Sequence, residues 1–247
     1  MLDDSDMCSI STPSVVLVHG AFVDGCGWRA VHDLLTRDGY HVAVVQNPTV
    51  SLQGDAAATR LIIDMQPGPV VLVGHSYGGA VITEAGTHPK VAALVYISAF
   101  APDEGESVNT LIGRFPDDAP QMPGLPPRDG FVFQNPTLFH ASFGADLPDD
   151  LAAFMADSQR PWGLSAAAGT ITHPAWRTKS SWYLVATQDR EIPPTTQRAM
   201  SRRARSTVLE LAATHAVYIT QPAPVTDLIE QAAVAVSAGV ASGSGSP

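Results

Sequence analysis

Residues 70–79, Val-Val-Leu-Val-Gly-His-Ser-Tyr-Gly-Gly, decide the fold. A run rich in β-branched residues stops at Gly74. Gly78 and Gly79 then open a helical stretch, Ala80-Val81-Ile82-Thr83-Glu84-Ala85. The order is strand, tight turn, helix, with the G-x-S-x-G pattern of Gly74, Ser76 and Gly78 at the turn. Such a turn forces the serine into a strained backbone conformation, with its hydroxyl exposed above the sheet and near a helix N-terminus. Glycine is required at 74 and 78 because a Cβ at either place would collide with the neighbouring strand or helix. The pentapeptide alone recurs by chance. Between a strand and a helix it predicts a nucleophilic Ser76 rather than a merely structural turn.

Outward from this turn the elements alternate. Strand-like runs cover Ser14–His19, His41–Gln46, Val70–Gly74, Val91–Ser98, Ser181–Thr187 and Thr207–Leu211. They are nearly continuous apolar stretches, as expected of parallel strands covered on both faces. Helical stretches lie between them at Trp28–Arg37, Asp55–Met65, Gly78–Thr87 and Pro194–Arg203. A last one, Pro224–Val236, carries Val225, Leu228, Ile229, Ala232 and Val236 on one face. This rhythm predicts an α/β fold with a six-stranded, mostly parallel, doubly wound sheet.

One segment breaks the rhythm. Residues 101–179 hold no strong strand and are crowded with proline, yet they carry many aromatic residues, including Phe115, Phe131, Phe133, Phe139, Phe143, Phe154, Trp162 and Trp176. A disordered linker is not so aromatic. The segment reads as an ordered, mainly helical cap inserted after the fourth strand, with short helices near Asn135–Phe143, Asp149–Ser158 and Ser165–Thr170. The core is then 14–100 and 180–236, and the ends, 1–13 and 237–247, are expected to be flexible.

Composition narrows the function classes. The net charge of −10 argues against nucleic acid or an anionic membrane as partner, since both repel an acidic surface. No run approaches a membrane-spanning length, and the first residues, Met-Leu-Asp-Asp-Ser-Asp, lack the basic and apolar regions of a signal peptide. Cys8 and Cys26 sit in no metal-ligand pattern and read as free thiols, so no metal and no cofactor is expected, and a cytoplasmic location is. The expected partner is a small molecule; a homodimer is left open.

A serine hydroxyl is a poor nucleophile until a base takes its proton and an acid orients that base. Of eight histidines, His215 stands just beyond the last strand, in Leu-Ala-Ala-Thr-His-Ala-Val-Tyr, where a loop reaches the C-terminal sheet edge. It is the expected base. His75 flanks the nucleophile but should point away from it, and His32, His41, His88, His140 and His173 read as surface or cap residues. Two aspartates compete for the acid, Asp189 after the fifth strand and Asp103 after the fourth, both at strand ends where sites on open sheets are built. The chain order Ser…Asp…His favours Asp189. Oxyanion donors are expected from the Tyr77 N–H and from the loop after the first strand, where His19-Gly20 brings Ala21, or failing that Phe22, past Ser76. That loop is a poor phosphate cradle, having no G-x-G-x-x-G and no lysine.

These residues resemble the α/β-hydrolase superfamily, and most of all its small-cap branch of plant methylesterases, hydroxynitrile lyases, bacterial arylesterases and pyrethroid-hydrolase-like esterases. The markers are Val-His-Gly-Ala-Phe at 18–22, Gly-His-Ser-Tyr-Gly-Gly at 74–79, Val-Tyr-Ile-Ser-Ala-Phe-Ala-Pro at 95–102, Asp189 before Ile192-Pro193-Pro194, and Thr214-His215. The resemblance implies an α/β-hydrolase fold whose sheet lacks the first two superfamily strands. It also implies cofactor-free hydrolysis of small to medium apolar esters. Lyases of the branch carry lysine directly after the base; here that position is Ala216, which disfavours cyanogenic chemistry. Lactone hydrolysis, the less favoured hydroxynitrile-lyase-like chemistry, and non-catalytic reception of a small molecule remain as other readings of the same fold. Phe22, Phe131, Phe139, Phe143, Trp162 and Val217 are the expected substrate-binding residues.

Overall fold

The computed structural model describes residues 12–243. Six parallel strands form one sheet: β1 (Ser14–Val18), β2 (Val42–Val45), β3 (Val70–His75), β4 (Val91–Ile97), and two that follow the cap, Ser180–Ala186 and Thr207–Leu211. Between the first four run α1 (Arg29–Arg37), α2 (Leu52–Asp64) and α3 (Gly78–Ala85). The cap then contributes α4 (Val108–Ile112), β5 (Phe131–Val132), α5 (Pro136–Phe143), α6 (Asp149–Asp157), β6 (Trp162–Gly163) and α7 (Leu164–Ala168). The late sheet strands are therefore β7 (Ser180–Ala186) and β8 (Thr207–Leu211), accompanied by α8 (Pro194–Arg203), α9 (Val217–Thr220) and α10 (Pro222–Gly243).

The order across the sheet is β2-β1-β3-β4-β7-β8. The chain steps from β1 outward to β2 and then returns to the other side of β1 with β3. The β1/β3 pair is thus the place where connections diverge to opposite faces and leave a crevice at the strand C-termini. All five residues of β1 and all six of β3 are buried, which their unbroken apolar composition requires: each covered Val or Leu is worth about 1.5–3 kcal/mol over leaving it in water. One apolar cluster lies on the α2/α3 face of the sheet and a second, containing Trp28, Tyr218 and the apolar stripe of α10, on the other.

Three expectations change. The last helix does not stop at Val236 but continues to Gly243, and the Ser237 hydroxyl donates to the Ala233 carbonyl one turn back at 3.1 Å, so it lies inside the helix. Residues 1–11 and 244–247, and with them Cys8, lie outside the described residues; Cys26 is an exposed free thiol. The cap also holds a strand pair, Phe131–Val132 against Trp162–Gly163, too short for periodicity to reveal. It carries α4 besides, closed by reciprocal Ser107–Thr110 capping.

The cap is fastened at the crevice. Arg160 N donates to Phe22 O at 3.1 Å, Gly163 N to Thr49 O at 2.8 Å, and Thr49 Oγ1 to Pro161 O at 2.8 Å. Its own small core, Phe139, Phe143, Leu147, Ala152 and Ala156, packs on Val23 and Ala216, one from each loop that borders the crevice.

Candidate active site

At the end of β3 the chain reverses into α3 through Ser76, whose φ is +54°, in the left-handed region a non-glycine residue enters only at a cost. The surroundings enforce it. Ser76 N donates to Ile97 O at 3.3 Å, while its carbonyl accepts from Gly79 N at 3.0 Å and Phe100 N at 3.1 Å. A Cβ on Gly74 would lie 2.5 Å from the Gly78 carbonyl oxygen, and one on Gly20 would lie 2.7 Å from the Ser76 Cβ. The β1 loop therefore passes directly over the serine, as close as backbone allows.

His19 pins that loop. Its Nε2 accepts from Asn47 N at 2.8 Å, so the proton sits on Nδ1, which donates to Gly20 O at 2.8 Å. Burial pushes the ring down to about 4 and holds it neutral, the state this bonding pattern needs. Asn47 Nδ2 closes the knot on His19 O at 3.0 Å. Among the described residues no acceptor engages the backbone N–H of Ala21 or of Tyr77. Both are buried on the crevice wall, and so is Phe22, at a φ of +66°. The Tyr77 hydroxyl is anchored away from the crevice, donating to Asp55 Oδ2 at 2.6 Å, and Asp55 Oδ1 accepts from Thr49 N at 2.7 Å.

The loop after β8 delivers His215 to the same place. Its Nδ1 lies 2.8 Å from Asp189 Oδ2, with both side chains buried. Asp189 also accepts from Glu191 N at 2.8 Å, Ile192 N at 2.9 Å and Gln197 Nε2 at 2.8 Å. Four donors on one carboxylate compensate its burial as an anion. Burial opposes charging of His215, but the Asp189 charge and hydrogen bond, with Glu191 behind them, hold its pKa above the ordinary imidazole value. His75 is also buried and kept neutral by it, and its Nε2 donates to the His215 carbonyl at 2.9 Å, tying the serine turn to the histidine loop.

Asp103 is elsewhere. It pairs with Arg177 Nη2 at 2.7 Å, within the cap segment, and among the described residues makes no bond to a histidine.

Ser76, His215, Ala21, Phe22 and Tyr77 border one small chamber, completed by apolar walls of Phe100, Ile112, Met122, Phe143 and Trp162 and by the polar side chains of Gln134 and Glu191. Its space is about 30 Å³, room for a water molecule or two. No hydrogen bond joins Ser76 Oγ to His215 among the described residues. Of the expected substrate-binding residues, Phe22, Phe143 and Trp162 are on the chamber wall and three are not. Phe139 is turned into the cap's own core, stacked on Phe143 at 4.9 Å. Phe131 is half-buried in the β5–β6 ribbon. Val217 is drawn under the sheet with Trp28 and Tyr218. Burial is what misleads here: aromatic residues roof a pocket or fill a core with the same composition. Glu191, Gln134, Met122 and Ile112 were not foreseen. Only Glu191 had a signal, its place two residues after Asp189 at a strand end.

The comparisons with known proteins agree on the fold. A model of the Alpha/beta hydrolase family matches residues 15–228. The chain belongs to that family. It is similar to a carbendazim hydrolyzing esterase of Nocardioides sp., 32% identical over 113 residues, which span 40% of this chain and 47% of that one. Methylesterase 1 of Arabidopsis thaliana is 30% identical over 43% of this chain and 46% of its own. The match thus spans less than half the length of either relative. An α/β hydrolase of Aspergillus novofumigatus is 26% identical over 90% of this chain and 96% of its own. A solved pyrethroid hydrolase superposes with a TM-score of 0.76 at 23% identity, over 91% of this chain and 99% of that one. At that identity the likeness carries the fold alone.

Proposed function

We propose that this family member hydrolyses carboxylic esters through a covalent acyl-enzyme on Ser76. In this reading Ser76 Oγ attacks the carbonyl carbon while His215 Nε2 takes the hydroxyl proton. The N–H groups of Ala21 and Tyr77 receive the oxyanion. The C–O bond to the alcohol then breaks, and the alcohol leaves with the proton from His215. Water repeats the sequence on the acyl-enzyme and frees the acid and Ser76. Asp189 keeps the imidazole in the tautomer whose Nε2 is free to accept, and stabilises the imidazolium in each half-reaction.

The observation that carries this reading is the buried His215–Asp189 pair, 2.8 Å apart, on a loop that brings His215 to the same chamber as Ser76. The esterase names of the partial relatives support an ester as the bond broken. The largely apolar walls favour neutral aryl or alkyl esters over highly charged or polymeric ones. Incubation with a fluorophosphonate should label Ser76 stoichiometrically, and p-nitrophenyl acetate should turn over many times per site. Labelling with a single turnover and retained product would favour the receptor reading instead, and absence of both would remove the ester-hydrolase reading.

A further inference from the structure

The chamber beside Ser76 is apolar except on one side. There Gln134 Nε2 donates to Glu191 Oε2 at 3.1 Å, and the Ser142 hydroxyl donates to Glu191 Oε1. Gln134 is fully buried, and its other amide atom, Oε1, has no hydrogen-bond partner. An orphaned carbonyl oxygen at such depth costs roughly 1–3 kcal/mol, so its presence in a wall that faces the reacting serine calls for a use. The orientation is built. Gln159 clamps the Gln134 backbone from both sides, with Oε1 accepting from Gln134 N at 2.8 Å and Nε2 donating to Gln134 O at 3.1 Å. When ionised, the Glu191 carboxylate can only accept, which turns the Gln134 amide nitrogen toward it and leaves Oε1 free. The other buried side-chain atom of the chamber lining without a partner, Trp162 Nε1, is a donor and bonds to neither residue.

From this pair we infer that Gln134 and Glu191 form an acceptor subsite, which selects esters carrying an O–H or N–H donor on the portion seated beyond the scissile carbonyl. The inference rests on the ester-hydrolase reading and narrows it: the pocket is not uniformly apolar but holds one polar anchor for a neutral or weakly basic substrate. A substrate hydroxyl or amide N–H can bond to Gln134 Oε1 and share the spare acceptor capacity of Glu191. A substrate with a methyl group in the same place leaves Gln134 Oε1 orphaned and gains nothing from the carboxylate. Sites built to hydrogen-bond a group reject the analogue lacking it far more strongly than apolar pockets reject a size change. Glu191 faces His215 and Asp189 on one side and Ser142 and Gln134 on the other. Burial raises its pKa to about 7, so the acceptor state dominates above that.

The test uses two isosteric pairs assayed at pH 8. Methyl 4-hydroxyphenylacetate against methyl 4-methylphenylacetate places the donor on the acyl side. The other pair, 4-hydroxyphenyl acetate against 4-methylphenyl acetate, places it on the alcohol side. The unmodified protein should favour the hydroxyl member of one pair by about tenfold or more in kcat/KM, the scale of one satisfied hydrogen bond to a buried acceptor. Gln134→Met should bring that ratio near one, chiefly by slowing the hydroxyl member, and Glu191→Gln should lower it part of the way. A merely structural role would slow both members alike, and that result overturns the inference, as does the absence of a hydroxyl preference in either pair. If Gln134→Met does not fold, Glu191→Gln decides by the same ratio. Turnover of p-nitrophenyl acetate by the unmodified protein separates the two levels. Its retention without hydroxyl preference removes the subsite alone, whereas its loss removes the hydrolase reading as well.

Discussion

Two spaces meet at Phe22, and they differ in almost every respect. On one side is the chamber of about 30 Å³ that holds Ser76 and His215. On the other is a groove of about 530 Å³ between α1 and α6, lined by Val23, Ala30, Leu151, Phe154, Met155 and Ile219 among others. The groove is many times larger, and its one thiol, Cys26, lies beside the Asp24 carboxylate, which pushes the thiol pKa up and so works against the thiolate. The chamber barely admits water, but it gathers a strained serine, a paired histidine and backbone donors without acceptors. Volume alone picks the side of Phe22 away from Ser76 and His215. What distinguishes the chamber is that its polar groups converge, and convergence costs strain and desolvation that no passive groove has to meet.

The contrast can be broken most directly by removing the reacting atoms. Ser76→Ala should lower kcat for p-nitrophenyl acetate by at least about four orders of magnitude, whereas Met155→Ser, in the groove, should leave it within about twofold. Comparable losses in both would make the groove a working part of the site. Next in size is the acid. Asp189→Asn should cost about 10⁴ in kcat, because the carboxamide can donate to Nδ1 and stabilise the wrong tautomer of His215. Asp103→Asn removes only its pairing with Arg177 and should change the rate little. Steady-state rates of the two variants check the ranking, and its reversal would place the acid at Asp103.

The same contrast explains what could be read from the sequence. The sheet strands, the serine turn, Asp189 and His215 are legible because each is set by neighbours in the chain: an apolar run needs burial, and a glycine is needed where backbone passes backbone. The chamber walls are not. Phe139 and Phe143 lie four residues apart on α5 and both are buried, but only Phe143 reaches the chamber, because the packing of α5 on α6 turns Phe139 into the cap's core. Gln134 was invisible for a related reason. Its role depends on Gln159 and Glu191, residues 25 and 57 positions away. The continuation of α10 past Val236 was missed because a Gly/Ser-rich ending resembles a frayed tail, although alanines and valines run through it.

Phe22 itself offers a sharper probe. Its ring meets Trp162 edge-on at 5.5 Å and forms part of the wall of both spaces. Phe22→Ala should join chamber to groove and raise the kcat/KM ratio of p-nitrophenyl hexanoate to p-nitrophenyl acetate by about tenfold, the worth of a few accommodated methylenes. It should also lower Tm, since a buried aromatic truncation leaves a cavity costing about 3–5 kcal/mol. An unchanged chain-length preference would mean that larger acyl groups enter by another route.

The smallest effect concerns pH. In the proposed mechanism His215 is a base only when neutral, so activity should rise with pH along a limb set by its pKa. That limb should lie above the ordinary imidazole value, because Asp189 and Glu191 outweigh the burial that opposes the charged ring. Glu191 is pushed up to about 7 by its own burial, so the two groups titrate in overlapping ranges and the limb belongs to both. Glu191→Gln removes one negative charge that favours imidazolium; Asp189 remains. The direction follows: the ring gives up its proton more readily, and the acidic limb moves to lower pH. At pH 7.5, where Glu191 is largely ionised, the variant should keep a larger share of its plateau rate than the unmodified protein, by up to about threefold, as expected for one of two nearby carboxylates. Rates for 4-methylphenyl acetate across pH 5–9 check this without involving the hydroxyl subsite. A limb that stays in place would confine Glu191 to substrate selection, and one that moves upward would reverse the sign of its coupling to the base.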